Sequence, residues 1–180
     1  MSDIASELAK LHTLTGADFS RQVERIALRG EFHLVEGETA IYSTGGEQHD
    51  DYDNLMSAAH KAVEHGYRVF ILPNPKGIRT ADFIFERRGL YRIYDLKTIM
   101  GKGSIDSRLA ESIGQTNRVV LNMTTDYKVG KLARAIKRYF ERNAGGVEIV
   151  IFKGGKMLSV TRQMATDKDF IIAFAKKYYK

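Results

Sequence analysis

The sequence predicts an α/β (α+β) fold, in which helices flank a mixed central β-sheet. Apolar residues recur at helical spacing in several segments, and short β-rich runs bounded by glycine, proline or polar residues alternate with them. From residue 53 the predicted order is helix, three strands, helix, strand, helix, two strands and a last helix. This order is typical of one sheet covered by helices.

Length and composition limit the kind of protein. The chain has 180 residues, of which 43% are hydrophobic and two are proline, as in a folded globular protein. We expect one main domain at 51–180 and a helical and extended appendage at 1–50. Without cysteine there is neither a disulfide nor a cysteine metal site. No apolar run approaches the roughly 18 residues of a membrane span, and no signal peptide is evident.

The net charge of +6 is unevenly distributed. Residues 1–66 hold 5 Lys and Arg against 12 Asp and Glu, whereas residues 67–180 hold 23 against 10. A basic body of this kind suits a polyanion such as nucleic acid. A solvated, lysine-rich surface explains the same composition, and both interpretations stay open at this point.

The N-terminal quarter is predicted to be mainly helical. Ser2 is placed to cap a short amphipathic helix that Gly16 ends, and a second helical pattern runs over 17–29. Weak strand patterns follow at 32–35 and 40–42, and the polar segment 43–53 is predicted as a loop.

The rest of the chain alternates helices and strands. Pro73 and Pro75 must lie in a loop, because proline lacks the amide donor that a strand needs. The predicted elements are a helix capped by Asp53 and ended by Gly66, a buried strand at 67–72, a hairpin at 79–99, a helix capped by Ser104, a strand at 118–123, a helix at 129–142, a hairpin of 147–152 and 157–161, and a helix at 167–179.

The hairpin carries the most informative residues. If its turn is the two-residue loop Arg88-Gly89, paired residue numbers sum to 177, and Asp82 lies directly opposite Asp95. Opposed residues have Cβ atoms about 4.5–5.5 Å apart, where like charges are destabilising. The alternation also places Lys97 on the face that Asp95 occupies.

Two acidic residues and a lysine held together on a rigid sheet are typical of the active site of a metal-dependent nuclease. A divalent cation would convert the repulsion between Asp82 and Asp95 into coordination, and hard oxygen ligands favour Mg²⁺ or Mn²⁺. Lys97 would then assist the attacking water or neutralise charge at phosphorus. The simpler interpretation places both aspartates at solvated strand ends beside basic residues.

The spacing resembles the signature of PD-(D/E)xK nucleases. Asp82 is followed, after twelve residues, by Asp95-Leu96-Lys97, and the element order over 53–123 is similar to the core of that superfamily. The resemblance implies Asp82, Asp95 and Lys97 as catalytic residues. It also implies a further acid from the first helix, for which Glu64 is the candidate metal ligand and Asp53 the reserve. It further implies a glutamine from the second helix, Gln115. Ala81 stands where the motif has proline.

A narrower resemblance covers residues 53 to about 162. Segments 81–84, 94–98 and 112–121 look like the C-terminal nuclease toxins of bacterial contact-dependent inhibition (CdiA-type) and phage-associated proteins. That resemblance implies cleavage of tRNA in the bacterial cytoplasm, a cognate immunity protein, and delivery as part of a larger secreted or phage-associated protein.

Some toxins whose sequences are similar in general to these instead adopt the metal-independent barnase/EndoU/colicin/RelE-type RNase fold. Under that alternative the residues of interest are Lys97, Thr161 and Arg162, with Ser159 on the same strand face as Thr161.

Basic residues supply candidates for nucleic-acid binding. Lys102 and Ser104, at the start of a helix, form either a phosphate-binding site or an ordinary loop and helix cap. The helix at 129–142 has a basic outer face. The candidates are Lys102, Ser104, Arg108, Lys131, Arg134, Arg138 and Arg162. A non-catalytic module that binds nucleic acid or a protein through these residues is the remaining alternative.

Overall fold

The computed structural model describes residues 3–45, 51–101, 103–114 and 116–180. Over these residues the chain forms a mixed sheet with seven flanking helices, which confirms the predicted fold class. The strands are β1 (His33–Leu34), β2 (Ile41–Ser43), β3 (Arg68–Ile71), β4 (Phe83–Arg87), β5 (Leu90–Ile99), β6 (Arg118–Met123), β7 (Glu148–Lys153) and β8 (Lys156–Thr161). The helices are α1 (Ile4–Lys10), α2 (Gly16–Ala27), α3 (Tyr52–Glu64), α4 (Ile105–Glu111), α5 (Val129–Arg142), α6 (Arg162–Thr166) and α7 (Phe170–Tyr179), with a 3₁₀ turn at Leu11–Thr13.

The strands follow chain order across the sheet, from β1 to β8. The chain divides into two compact units, one ending at Tyr94 and the other beginning at Asp95. In the first unit, α1 and α2 share a core with β3, β4 and the start of β5, to which Leu8, Ile26, Phe70, Ile84 and Ile93 contribute. The boundary expected at residue 50 stays a prediction.

The hairpin between β4 and β5 has the predicted register. Arg87 pairs with Leu90 and Phe83 pairs with Tyr94, so paired numbers sum to 177 throughout. Arg88 and Gly89 form the loop, with φ of 54° and 80°. Two consecutive positive φ values mark a type I′ turn, whose twist matches that of the flanking strands. The prediction of a two-residue turn is confirmed.

The second unit contains the parallel part of the sheet. The end of β5 runs parallel to β6, β6 runs parallel to β7, and β8 returns antiparallel to β7. Helices α4, α5 and α7 cover one face of these strands, and their apolar stripes bury Leu109, Ile136 and Phe174 against Leu121 and Ile151.

Two predicted helix starts and the last helix differ in detail. Asp3 caps α1 by accepting the Ser6 amide at 2.8 Å, and Ser2 lies outside the described residues. Asp51, held by the side chain of Asn54, precedes α3 where Asp53 was expected. The helix predicted at 167–179 is α7, which begins at Phe170, and an additional short helix, α6, precedes it and is capped by the hydroxyl of Thr161. Among the described residues, no helix has both the length and the apolarity needed to span a membrane.

Candidate active site

Asp95 and Lys97 lie on one face of β5, where the strand alternation places them. Asp95 pairs with Val119 and Lys97 with Leu121, so both side chains share the face that α4 and α5 cover. The Lys97 Nζ lies 3.4 Å from Oδ2 of Asp95, and the two side chains are only 13% and 4% exposed. The sequence-predicted acid and lysine therefore form a largely buried ion pair.

The carboxylate of Asp95 is fixed by a second contact. The hydroxyl of Ser112, which is fully buried just after α4, donates a hydrogen bond of 2.6 Å to Oδ2 of Asp95. A buried carboxylate is costly unless it is hydrogen-bonded or paired. Asp95 has both kinds of partner, so its orientation is set by α4 as well as by the sheet.

Lys97 has a second acidic neighbour. Oε2 of Glu111, the last residue of α4, lies 3.5 Å from the Lys97 Nζ. The Glu111 side chain is 56% exposed. The ammonium group therefore lies between a buried carboxylate and a solvent-accessible one.

A buried phenol adds to the electrostatics of this site. Tyr139, on α5, is 3% exposed. Burial raises the pKa of Tyr139, Asn143 offsets part of the rise, and the negative charge of Asp95 adds to it. Tyr139 is therefore held as a neutral phenol in the neighbourhood of Asp95.

Asp82 and Glu64 both belong to the first unit. Asp82 directly precedes β4, and its amide donates a hydrogen bond of 3.0 Å to the carbonyl of Tyr94. This bond continues the predicted register by one residue. That the carboxylates of Asp82 and Asp95 face each other stays a prediction.

The structure does not bring Glu64 to Asp82. Glu64 is exposed at the end of α3, and the Arg87 guanidinium donates to the carbonyl of the next residue, His65. The end of α3 therefore lies at the turn end of the hairpin, whereas Asp82 is five strand residues away, about 17 Å. Asp53, the reserve candidate, lies in the first turn of α3, at the other end of that helix.

Among the described residues, no three His, Asp or Glu side chains are grouped so that they could hold a metal ion. At β5, two carboxylates, those of Asp95 and Glu111, both approach the Lys97 ammonium. Mg²⁺ keeps several of its waters and is often bound by only one or two carboxylates. Asp95 and Glu111 are the two carboxylates here that could hold such an ion.

The basic candidates differ in what they contact. Lys131 and Arg134 are exposed on α5. Arg138 forms a bidentate pair with Asp106, which holds the pKa of that carboxyl below its usual range. On α4, Arg108 donates to the carbonyl of Thr98 at 3.3 Å. Ser104 precedes α4 without a side-chain capping bond, and Lys102 and Gln115 lie outside the described residues.

Thr161 and Arg162 have structural partners. The Arg162 guanidinium donates to the carbonyls of Phe140, Asn143 and Gly146, where α5 ends. These bonds satisfy acceptors that a helix end leaves unpaired. The hydroxyl of Thr161 accepts the Met164 amide. Both side chains are engaged in these bonds. Neither is therefore available in the way that the RNase alternative requires, and Arg162 is not available in the way that nucleic-acid binding requires.

Ser159, the third residue of that alternative, donates to the carboxylate of Glu148, which also pairs with Arg118. Its hydroxyl is thus directed to a buried ion pair within the sheet.

Sequence reasoning missed Glu111 and Ser112. Both lie at the end of α4, and the packing of α4 against β5 could not be predicted from a local sequence pattern. One signal was present: an acid in the last turn of a helix opposes the helix dipole, which indicates a partner elsewhere. Lys97 is that partner.

No family model and no curated protein matches the chain. Among solved structures, the chain is similar to one from the CdiA-CT/CdiI toxin and immunity complex from Burkholderia pseudomallei. The TM-score is 0.45 and the identity 13%, over 68% of this chain and 99% of that chain.

Proposed function

We propose that the protein is a metal-dependent nuclease that acts on RNA, with tRNA as its substrate. The observation that carries the proposal is the buried pair of Asp95 and Lys97, with Ser112 bonded to the carboxylate and Glu111 beside the ammonium. Buried charges with dedicated partners are concentrated at functional sites, since they are costly to maintain for stability alone.

Each residue has a distinct role in the proposal. Asp95 and Asp82 would hold Mg²⁺ or Mn²⁺, with Glu111 or Asp53 replacing Glu64 as the further acid. The ion, when bound, supplies charge neutralisation at the phosphate and activation of water. Lys97 donates hydrogen bonds from its ammonium group to a phosphate oxygen and stabilises the charge that develops there. Ser112 keeps Asp95 in one orientation throughout.

The charge of the chain supports a polyanionic substrate. Residues 67–180 carry 23 basic against 10 acidic residues, and Lys131 and Arg134 are exposed on α5 in the same unit as Asp95. The resemblance to CdiA-type toxins adds tRNA, a cognate immunity protein and action in the bacterial cytoplasm after delivery within a larger protein. These remain parts of the proposal.

The direct test is to incubate the purified protein with total tRNA and with plasmid DNA, each in Mg²⁺ and in EDTA. We expect tRNA to be cut in Mg²⁺ and to stay intact in EDTA. Equal cleavage in EDTA would exclude the metal-dependent mechanism. Cleavage of DNA alone would exclude RNA as the substrate.

A second candidate is a non-catalytic module that binds nucleic acid through the exposed basic face of α5. The observation in its favour is that Lys131 and Arg134 have no carboxylate partner in the described part of the chain. Under it, tRNA would be bound and remain intact in every metal, and binding would survive the loss of Asp95 and Lys97.

A further inference from the structure

The sheet ends at β8, whose outer edge has no neighbouring strand among the described residues. Beside this edge runs a groove of about 590 Å³, lined by β8, α6 and α7. Its floor is mostly apolar, with Leu158 and Val160 from the strand and Met164, Phe170 and Phe174 from the helices. An edge strand offers unpaired backbone groups to another strand.

This edge lacks the usual protection against pairing. Sequences commonly protect an edge strand with proline, bulges or charges along it. Residues 156–161 read Lys-Met-Leu-Ser-Val-Thr, so the only charge is at the first position. The pairing with β7 is regular over all six residues, without a bulge. The edge is straight, long enough to pair, and apolar in its middle.

The two ends of the groove carry opposite charges. The Nζ atoms of Lys153 and Lys156 reach the carbonyl of Tyr178, at 3.4 and 3.3 Å, so α7 ends where β8 begins. Lys177 lines the groove at that end. Asp167 lines the opposite end, because α6 follows directly on the last residue of β8.

We propose that this groove is a dimer interface, and that its occupant is a second copy of the chain. Antiparallel pairing of two β8 strands around a two-fold axis brings the basic end of each groove to the acidic end of the other. Lys177 of each copy then lies near Asp167 of its partner. In a two-fold interface the same surface of both copies is in contact, so that surface must be complementary to itself. A groove with only one sign of charge would not be complementary to itself.

The surface of α7 is consistent with this arrangement. Ala173, midway along the helix, lines the groove and is exposed, so two α7 helices can approach closely there.

The test is the molar mass of the full chain by light scattering after size exclusion, measured over rising concentration. We expect the mass to rise from 20.3 kDa towards twice that value. Ala173→Glu places two like charges at the centre of the interface and should keep the mass at the monomer value. Lys76→Gln, at an exposed lysine outside the groove, changes the net charge by the same amount and should dimerise as the wild type does.

Charge reversal distinguishes a second copy from any other occupant. Asp167→Lys and Lys177→Glu should each weaken dimerisation about tenfold, and the double variant should restore it, because the reversed charges meet across the axis. A wild type that stays at 20.3 kDa at every concentration overturns the proposal and leaves the groove to a strand of another protein. A dimer that survives Ala173→Glu, or a double variant without rescue, overturns it as well. Circular dichroism of each variant verifies that it is folded.

Discussion

The hydroxyl of Ser112 donates a 2.6 Å hydrogen bond to Oδ2 of Asp95, although 17 residues separate the two in the chain. The bond joins the end of α4 to the middle of β5 and leaves Asp95 with one oxygen restrained. The Lys97 ammonium approaches the same oxygen at 3.4 Å. The position of α4 therefore decides the geometry of the candidate active site, and a change at Ser112 should be detectable there.

Ser112→Ala should lower activity more than a surface change on the same helix would. It removes a donor from a buried carboxylate, which costs about 1–3 kcal/mol in stability. We expect a lower melting temperature and a cleavage rate reduced at saturating tRNA, because the carboxylate is no longer held in one orientation. Ser107→Ala, at an exposed serine of α4, is the matched control and should change neither quantity. Unchanged cleavage by Ser112→Ala would contradict the positioning role.

Arg162→Ala should destabilise the fold rather than weaken nucleic-acid binding. Three carbonyls at the end of α5 lose a charged donor, and we expect the free energy of unfolding to fall by about 2–3 kcal/mol. Urea unfolding measures this loss. Arg134→Ala, on the exposed face of α5, should change stability by no more than about 0.5 kcal/mol. If Arg162→Ala were as stable as the wild type and bound tRNA more weakly, the structural assignment would be wrong.

Lys131→Ala and Arg134→Ala should weaken tRNA binding without altering specificity. Each lost phosphate contact reduces the slope of log K against log salt by about 1. Titration of tRNA in a range of salt concentrations, with a non-cleaving variant, measures that slope. Arg138→Ala should have a smaller effect on the slope, because its guanidinium is already paired with Asp106. Equal slopes for all three variants and the wild type would remove α5 from the binding surface.

The sequence predicted the hairpin well because its signals are local. Arg88-Gly89 sets the turn, and once the turn is fixed, the alternation of side chains sets the pairing of Phe83 with Tyr94. The same alternation placed Asp95 and Lys97 on one face, which the ion pair between them confirms. Most helices, and the order of helices and strands along the chain, also followed from periodicity and from turn residues.

Contacts between distant segments were not predictable in the same way. Glu111 and Ser112 meet Lys97 and Asp95 only because α4 packs on β5, and the direction of that packing is a property of the core. Arg162 looked like a surface cation because no local pattern shows that it reaches the end of α5. Glu64 matched a family pattern, but the direction in which α3 returns to β3 places it at the turn end of the hairpin.

The central claim is that Asp95 belongs to the catalytic machinery of a nuclease, and the rate of tRNA cleavage by Asp95→Asn in Mg²⁺ tests it most directly. The amide keeps an acceptor for Ser112, and Glu111 remains beside the Lys97 ammonium, so the fold should persist, as circular dichroism will show. Asp126→Asn, at an exposed aspartate of the same unit, is the matched control and should cleave at the wild-type rate. We predict that Asp95→Asn cleaves tRNA at least about 100-fold more slowly than the wild type. A folded Asp95→Asn protein that cleaves at the wild-type rate would contradict the claim.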